Sequence, residues 1–479
     1  MNKMKTLAGE TALYGLGSII PRMLNFFLVA LHTRIFLPAE YGIYINLYAW
    51  VAFLNVIYLF GMETTYFRFA TKEGADEQTI FRITQTFVLT ISVVLSLIII
   101  IFSVPIAQKF SLPGRNDFLV WLAVLMLVDA AISIPFARLR LQKKAGKFAI
   151  AKLVNVIIQV GLNLYFLLFA FDPSIGIGYV LLANLIANLF YLLFFFKTLT
   201  SWRPAWDQKL FTSMFPYAFP VMLTGLAGMT NEMFSRTTLE RWLPENFYPG
   251  KSSEYALGVF GACFRYSVIM SLAVQAFRFA AEPFFFSNAN NKNSPALFAK
   301  AHHYFTIVCC FILLAVVINL DILKYILDAA YWEGLSIVPI LLIGYMFLGM
   351  YYNFSVWFKL TDKTFYGTLI TAGGAMLTIA LNFLFIPRFG YVGSSWATLL
   401  CYLTMAISCY GLGQRYFPIP YRVLPGLSYL LFALLLIQLS QLLIIPNFLL
   451  SIVFHFSLML FFVFVAYWRE KKYWDSPVD

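Results

Sequence analysis

Arg22 is the side chain in this sequence whose chemistry most needs explaining. With Pro21 before it, it stands inside an apolar run over residues 9–36. About 20 apolar residues suffice to cross a bilayer as a helix, so the run predicts a span with a guanidinium inside it. A cation at that depth costs about 3 kcal/mol on insertion scales, so it must face protein or a water-filled cavity. At helical spacing Ser18, Arg22, Asn25 and His32 fall on one face, and Pro21 permits a kink beside the charge. Pairing with a carboxylate in the bundle is the plainer reading. The shared polar face favours a cationic site in a membrane cavity.

Other segments place polar and charged groups in the same way. The seventh apolar segment carries Asn231, Glu232, Ser235 and Arg236, with Glu232 and Arg236 spaced to pair along a helix. The eighth holds Arg265 and then a polar stripe of Ser271, Gln275, Arg278 and Glu282. The second offers Asn55 and, at its inner end, Glu63 and Arg68; the fourth holds Asp129. Arg34 closes the first segment. A cavity lined by arginine suits a phosphate or diphosphate, because guanidinium binds it bidentately. The candidate cavity residues are therefore Arg22, Asn25, Arg34, Asn55, Arg68, Asn231, Arg236, Arg265 and Gln275. Structural ion pairing is the alternative for each arginine, least so for Arg265, which has no carboxylate three or four positions away.

The elements that would position these groups follow from composition. The chain has 479 residues, 61% hydrophobic and only 12% charged, with mean hydropathy +0.78. Soluble globules are about half apolar and about a quarter charged, so this is a polytopic membrane protein. Continuous apolar segments exclude a transmembrane barrel, whose strands would alternate. Fourteen such segments lie between residues 10 and 467, which predicts an all-α integral membrane protein of about 14 transmembrane helices. The N-terminal run lacks a compact cleavable signal and reads as an uncleaved first span. Lysine and arginine gather in alternate loops, which places both termini in the cytoplasm and accounts for most of the net charge of +12 without a nucleic-acid partner. The densest basic run, residues 138–148, reads as a loop facing lipid headgroups. The 51 Phe and 28 Tyr fit lipid-facing surfaces and interfacial belts. The five cysteines fall inside spans as small fillers. They and the four histidines form no metal-ligand spacing, and no nucleotide-binding or nucleophile motif is present. Neither a cofactor nor an enzymatic activity is expected.

The sequence echoes itself. FLPAEYGIYINLY (36–48) is answered by WLPEN (242–246) and SEYALGVFGACFRY (253–266). LNLYFLLFAFDPSIGIGYVLLANLI (162–186) is answered by LNFLFIPRFGYVGSSWATLL (381–400). In the second pair an Asn leads to a Gly-containing turn and then a small-residue helix. The spacing predicts two pseudo-symmetric six-helix lobes, 1–197 and 214–412, with a cytoplasmic linker at 198–213 and two further spans in 413–479. Such repeats place a substrate site near the midplane of the membrane where they meet.

SIIPRMLNFFLVALHTRIFLPAEYGIYINLYAW (18–50) resembles the opening of Wzx-type polysaccharide flippases of the MOP, or MATE-like, exporter superfamily. Pro21-Arg22, Arg34, Leu37-Pro38, Tyr41-Gly42 and Tyr44 carry the likeness. NFLFIPRFGYVGSSWATLLCY (382–402) resembles a second passage of that family, with Ser394-Ser395 where small apolar residues are usual. The resemblance implies translocation of undecaprenyl-diphosphate-linked oligosaccharide repeat units across the bacterial inner membrane by alternating access. It implies membrane lipids and a lipid-linked oligosaccharide as ligands, with polysaccharide polymerase and glycosyltransferases as pathway partners. Transport would be driven by H+ or Na+ or by downstream consumption, with Glu63, Asp129 and Glu232 as ion-coupling candidates. A lipid II flippase of the same superfamily is an alternative. A MATE-type cation or drug antiporter is another, which the arginines oppose. A membrane glycosyltransferase or polymerase would need a large extramembrane loop with an acidic pair, and no loop here supplies one.

Overall fold

The computed structural model describes residues 2–110, 112, 114–288, 293–443 and 445–474, and among them every regular element is helical. The side chains of Lys3, Lys5, Ser18 and Lys472, and the whole of Lys292, lie outside the described residues. The helices, in order, are α1 (Asn2–Ile35), α2 (Pro38–Leu59), α3 (Met62–Ala70), α4 (Glu77–Ile101), α5 (Ser103–Lys109), α6 (Asn116–Leu141), α7 (Ala145–Leu168), α8 (Gly178–Phe194), α9 (Phe196–Ser201) and α10 (Gln208–Trp242). They continue with α11 (Ser253–Phe264), α12 (Ser267–Ser287), α13 (Ser294–Ile318), α14 (Leu320–Leu323), α15 (Ile337–Phe354), α16 (Val356–Leu360), α17 (Phe365–Tyr416), α18 (Val423–Leu442) and α19 (Phe448–Trp474).

Eleven of the described helical segments are long and apolar enough to cross a membrane. Three features separate this number from fourteen. The expected first span, α1, is not among the eleven. Two of the expected segments run together in α17, which changes direction at Gly390, and α8, at 17 residues, is short. Outward-facing Leu97, Ile101, Ile157, Leu431, Leu449, Val453 and Phe464 are heavily exposed. In water such a surface would be a liability; in hydrocarbon it is the expected one.

The chain falls into two compact units. The first comprises residues Met1–Phe36 and Ile43–Met233, the second Leu37–Gly42 and Phe234–Asp479. The division thus falls inside α2 and α10 rather than in the 198–213 linker.

In the first unit α1 packs along α7, and α6 lies between α4 and α8. Tyr58, Met62, Tyr66, Phe81, Met126 and Met214 are buried together where α2, α3, α4, α6 and α10 meet. Arg138 and Arg140 do not face lipid headgroups as the sequence led one to expect. Arg138 Nη2 donates to Glu77 Oε2 at 2.9 Å and lies over the Phe81 ring, and Arg140 is ion-paired with Glu63. Lys143, Lys144 and Lys147 remain exposed.

The second unit brings the first sequence echo face to face. A Cβ on Gly42 would lie 1.9 Å from the Glu254 carbonyl oxygen, and one on Gly258 would lie 1.8 Å from that of Pro38. Only a residue without a side chain permits this approach of two backbones. The second echo also survives as local geometry, one copy in each unit. Asn163 Nδ2 donates to Gln159 O at 2.8 Å and Asn382 Nδ2 to Thr378 O at 2.8 Å. The turns that follow hold Gly176 at φ 54° and Gly390 at φ 58°, left-handed values that favour glycine. Elsewhere in this unit α15 packs along α17, and α13 against α18.

Candidate functional site

The expected residues divide between the units. On the first, Arg22, Arg34 and Arg68 are exposed, and Asn25 and Asn55 are half-buried. Arg22 and His32 do not share an environment. His32 is 3% exposed, and its Nε2 meets Asn163 Oδ1 at 2.9 Å. Because the Asn163 amide nitrogen is already directed at Gln159 O, the oxygen faces the imidazole, so His32 carries a proton on Nε2. Arg68 lies 4.2 Å over the Tyr217 ring. Asn55 Oδ1 is buried with no hydrogen-bond partner, and Asn231 on α10 is 6% exposed.

On the second unit Arg236 lies 3.9 Å over the Phe264 ring. Arg265 sits half-buried at the break between α11 and α12, and Gln275 is half-buried on α12. Below Gln275, Arg278 approaches Glu282 at 3.9 Å, and Lys359 Nζ reaches the same carboxylate at 2.7 Å.

The three ion-coupling candidates have different surroundings. Glu63 is taken up by Arg140. Glu232 is exposed. Asp129 is at the centre of a polar network on α6, α7 and α8. Asn188 Nδ2 donates to Asp129 Oδ1 at 2.7 Å. Asn155 Nδ2 donates to Asn188 Oδ1 at 2.9 Å and to Ala187 O at 2.7 Å. Lys152, which shares α7 with Asn155, interacts electrostatically with Asp129. Its ammonium lies 4.3 Å over Phe136 and 5.0 Å over Tyr191. One turn along α8, Asn184 hydrogen-bonds Tyr48, whose ring stands 4.7 Å from Tyr44. An acid, a base and a row of amides thus stand together on α6, α7 and α8.

The sequence reading named Asp129 but missed Lys152, Asn155, Asn184 and Asn188. The signal was present as Asn184 and Asn188 four apart and Lys152 and Asn155 three apart, each pair on one helix face. Among the described residues no three His, Cys, Asp or Glu side chains gather to hold a metal ion.

Outside the spans two groups have displaced proton affinities. Hydrogen bonds from Thr79 and the Gln78 N–H hold Asp76 below the usual carboxylate range at the start of α4. The Glu333 carboxylate raises the Lys251 ammonium above its usual value.

These features define an all-helical chain with many helices long and apolar enough to cross a membrane, and its fold is shared with solved structures of that kind. A solved structure titled lipid II flippase MurJ, in an inward closed conformation, superposes with TM-score 0.72 at 14% identity, covering 95% of this chain and 99% of that one. An inward-facing multidrug resistance MATE family transporter of the MOP superfamily gives TM-score 0.60 at 15% identity, covering 85% and 94%. A MATE structure in a straight conformation gives 0.56 at 12% identity, covering 86% and 95%. More particularly, residues 31–241 match the family model described as polysaccharide biosynthesis protein. No curated protein matches the chain at the level of sequence.

Proposed function

We propose that the chain is a flippase. It carries undecaprenyl-diphosphate-linked oligosaccharide repeat units from the inner to the outer leaflet of the bacterial inner membrane, for polysaccharide biosynthesis, by alternating access. The match of residues 31–241 to a polysaccharide biosynthesis family carries this reading. The fold shared with a lipid II flippase and with MATE transporters supports transport rather than catalysis.

In this proposal both termini are cytoplasmic. The six-span lobes 1–197 and 214–412 alternate, with 413–479 appended. Arg22, Arg34, Arg68, Arg236 and Arg265 bind the diphosphate, since guanidinium groups form paired charge-assisted hydrogen bonds to phosphate. Asn25, Asn55, Asn231 and Gln275 serve the sugars. Asp129 is the preferred coupling group for H+ or Na+, because Glu63 already neutralises Arg140 and Glu232 lies exposed. A polymerase and glycosyltransferases act before and after it in the pathway.

The test follows glycan in each leaflet. Deleting the gene is expected to accumulate lipid-linked glycan in the inner leaflet, and the wild-type gene to relieve it. Arg22→Ala and Arg265→Ala, made at normal level and correctly inserted, are expected to relieve it about tenfold less well, the equivalent of ~1.4 kcal/mol of lost charge-assisted contact. Normal glycan distribution without the gene defeats the reading. The overlap with MurJ favours lipid II as the second cargo, and accumulation of lipid II in place of glycan would select it.

A further inference from the structure

The second unit contains a cavity of about 220 Å³ that the flippase reading does not use. It lies among α13, α15, α17 and the start of α18, and its wall includes Thr306, Phe347, Met350, Ala406, Ile407 and Leu427. The wall is apolar apart from one end, where Arg422 and His302 stand. The Thr306 hydroxyl does not alter this, because it donates to His302 O at 3.0 Å. Ile407 is 61% exposed and Leu427 48%, so apolar side chains flank the opening.

The polar end is built. His302 is 6% exposed, its ring held 4.6 Å from Phe354 and 5.0 Å from Tyr421, and its Nδ1 is buried with no hydrogen-bond partner. A buried ring nitrogen in that condition costs energy unless something meets it. Arg422, immediately before α18, has its Nη1 3.7 Å from Glu470 Oε2. That carboxylate also accepts from Tyr429 OH at 2.8 Å and stands 3.1 Å from His303 Nε2. Arg469, next to it, lies over the Tyr429 ring and donates to Ser428 Oγ at 2.8 Å. Arg422, Arg469 and Glu470 all act on the same residue, Tyr429, so two guanidinium groups and one carboxylate stand around it, leaving a net charge near +1.

An apolar space of this size is poor housing for water, which needs polar partners, and an empty one forfeits dispersion contacts along its whole lining. A hydrocarbon chain satisfies both conditions. A net charge near +1 matches a phosphodiester, which carries one negative charge, better than a diphosphate, which carries more. We propose that this cavity binds an anionic membrane phospholipid, with one acyl chain in the apolar space, the phosphodiester against Arg422, and His302 Nδ1 hydrogen-bonded to the polar junction between them. The site is separate from the arginines proposed for cargo and stands whichever cargo is carried.

Native mass spectrometry of the purified full chain, titrated separately with phosphatidylglycerol and phosphatidylcholine, tests this. Wild type is expected to retain one phosphatidylglycerol about fivefold more tightly than phosphatidylcholine, corresponding to ~1 kcal/mol for one basic side chain. Arg422→Gln is expected to abolish that preference and Arg422→Lys to keep part of it. Ala406→Phe, which fills the cavity, is expected to lower retention of both lipids; Leu427→Trp enters the same space from α18 and replaces it if that variant does not fold. Equal retention of the two lipids by wild type overturns the proposal, as does unchanged preference in Arg422→Gln or unchanged retention in the filled variants. Displacement of phosphatidylglycerol by an equal amount of polyprenyl diphosphate also overturns it, by identifying the occupant as carrier lipid.

Discussion

In the first unit the side-chain amides reach from one helix to the next. Asn155 and Asn188 join α7, α8 and α6, Asn184 joins α8 to α2, and Gln85 donates across to Ala131 O at 2.8 Å. Tyr58 and Ser96 extend the pattern: Ser96 donates to Ala123 O, so Tyr58 must be the donor in its 3.0 Å contact with Ser96. In the second unit three amides turn back on their own chain segment. Asn319 donates to Ala315 O, Asn353 to Gly349 O and Asn382 to Thr378 O, each four residues back. Back-bonding of this kind satisfies the side chain and by itself ties nothing together, although Asn319 Nδ2 also approaches Met459 Sδ on α19 at 3.7 Å. Contacts between helices in a membrane contribute about 0.6 kcal/mol each and at most about 1.7. The first unit is therefore cross-linked around an ionisable pair. The second is held by apolar packing, by the Gly42–Gly258 crossing, and by charges gathered at helix ends.

The largest effect should come from breaking the ionisable pair. Asp129→Leu strands the Lys152 ammonium in hydrocarbon and is expected to cost about 3 kcal/mol or more, read as a lower thermal midpoint in detergent. Adding Lys152→Met should recover most of the loss. A double variant no better than Asp129→Leu would show that the two charges do not stabilise one another. The amide contrast is tested directly by Asn188→Leu against Asn353→Leu. The first is expected to cost about 1–2 kcal/mol, because it also strips a partner from Asp129; the second should cost under about 0.5 kcal/mol. Equal losses would remove the distinction between the units.

The smallest effect lies outside the membrane. Asp76 is held in its charged form by Thr79 and Gln78, so its folded pKa is below its unfolded one. Its contribution is present above the ordinary carboxylate pKa and lost as pH falls through the lowered value. Asp76→Ala should lower the thermal midpoint slightly at neutral pH and make no difference to it in strong acid.

The spans, the all-helical class and the likeness to MOP exporters were legible because hydrophobicity and short motifs are written locally. Gly42 and Gly258 were legible as an echo, though not as neighbours. Which side chain meets which across a helix gap was not legible. Asp129 shows no partner within its own helix, and its amide donor lies 59 positions away on α8. Arg22 and His32, ten residues apart, looked like one face. Over that distance a helix turns far enough to bury one against Asn163 and expose the other. The pairing of Arg138 and Arg140 with Glu77 and Glu63 was hidden for the same reason.

Glu470 also sets an order of assembly. His303 and Tyr429 are laid down on α13 and α18, yet the carboxylate both of them meet arrives only with α19. During synthesis these two helices enter the membrane with that carboxylate still missing. The ribosome must travel more than 160 residues past His303 before it is made. Until then the polar contacts of His303 and Tyr429 between α13 and α18 lack their carboxylate.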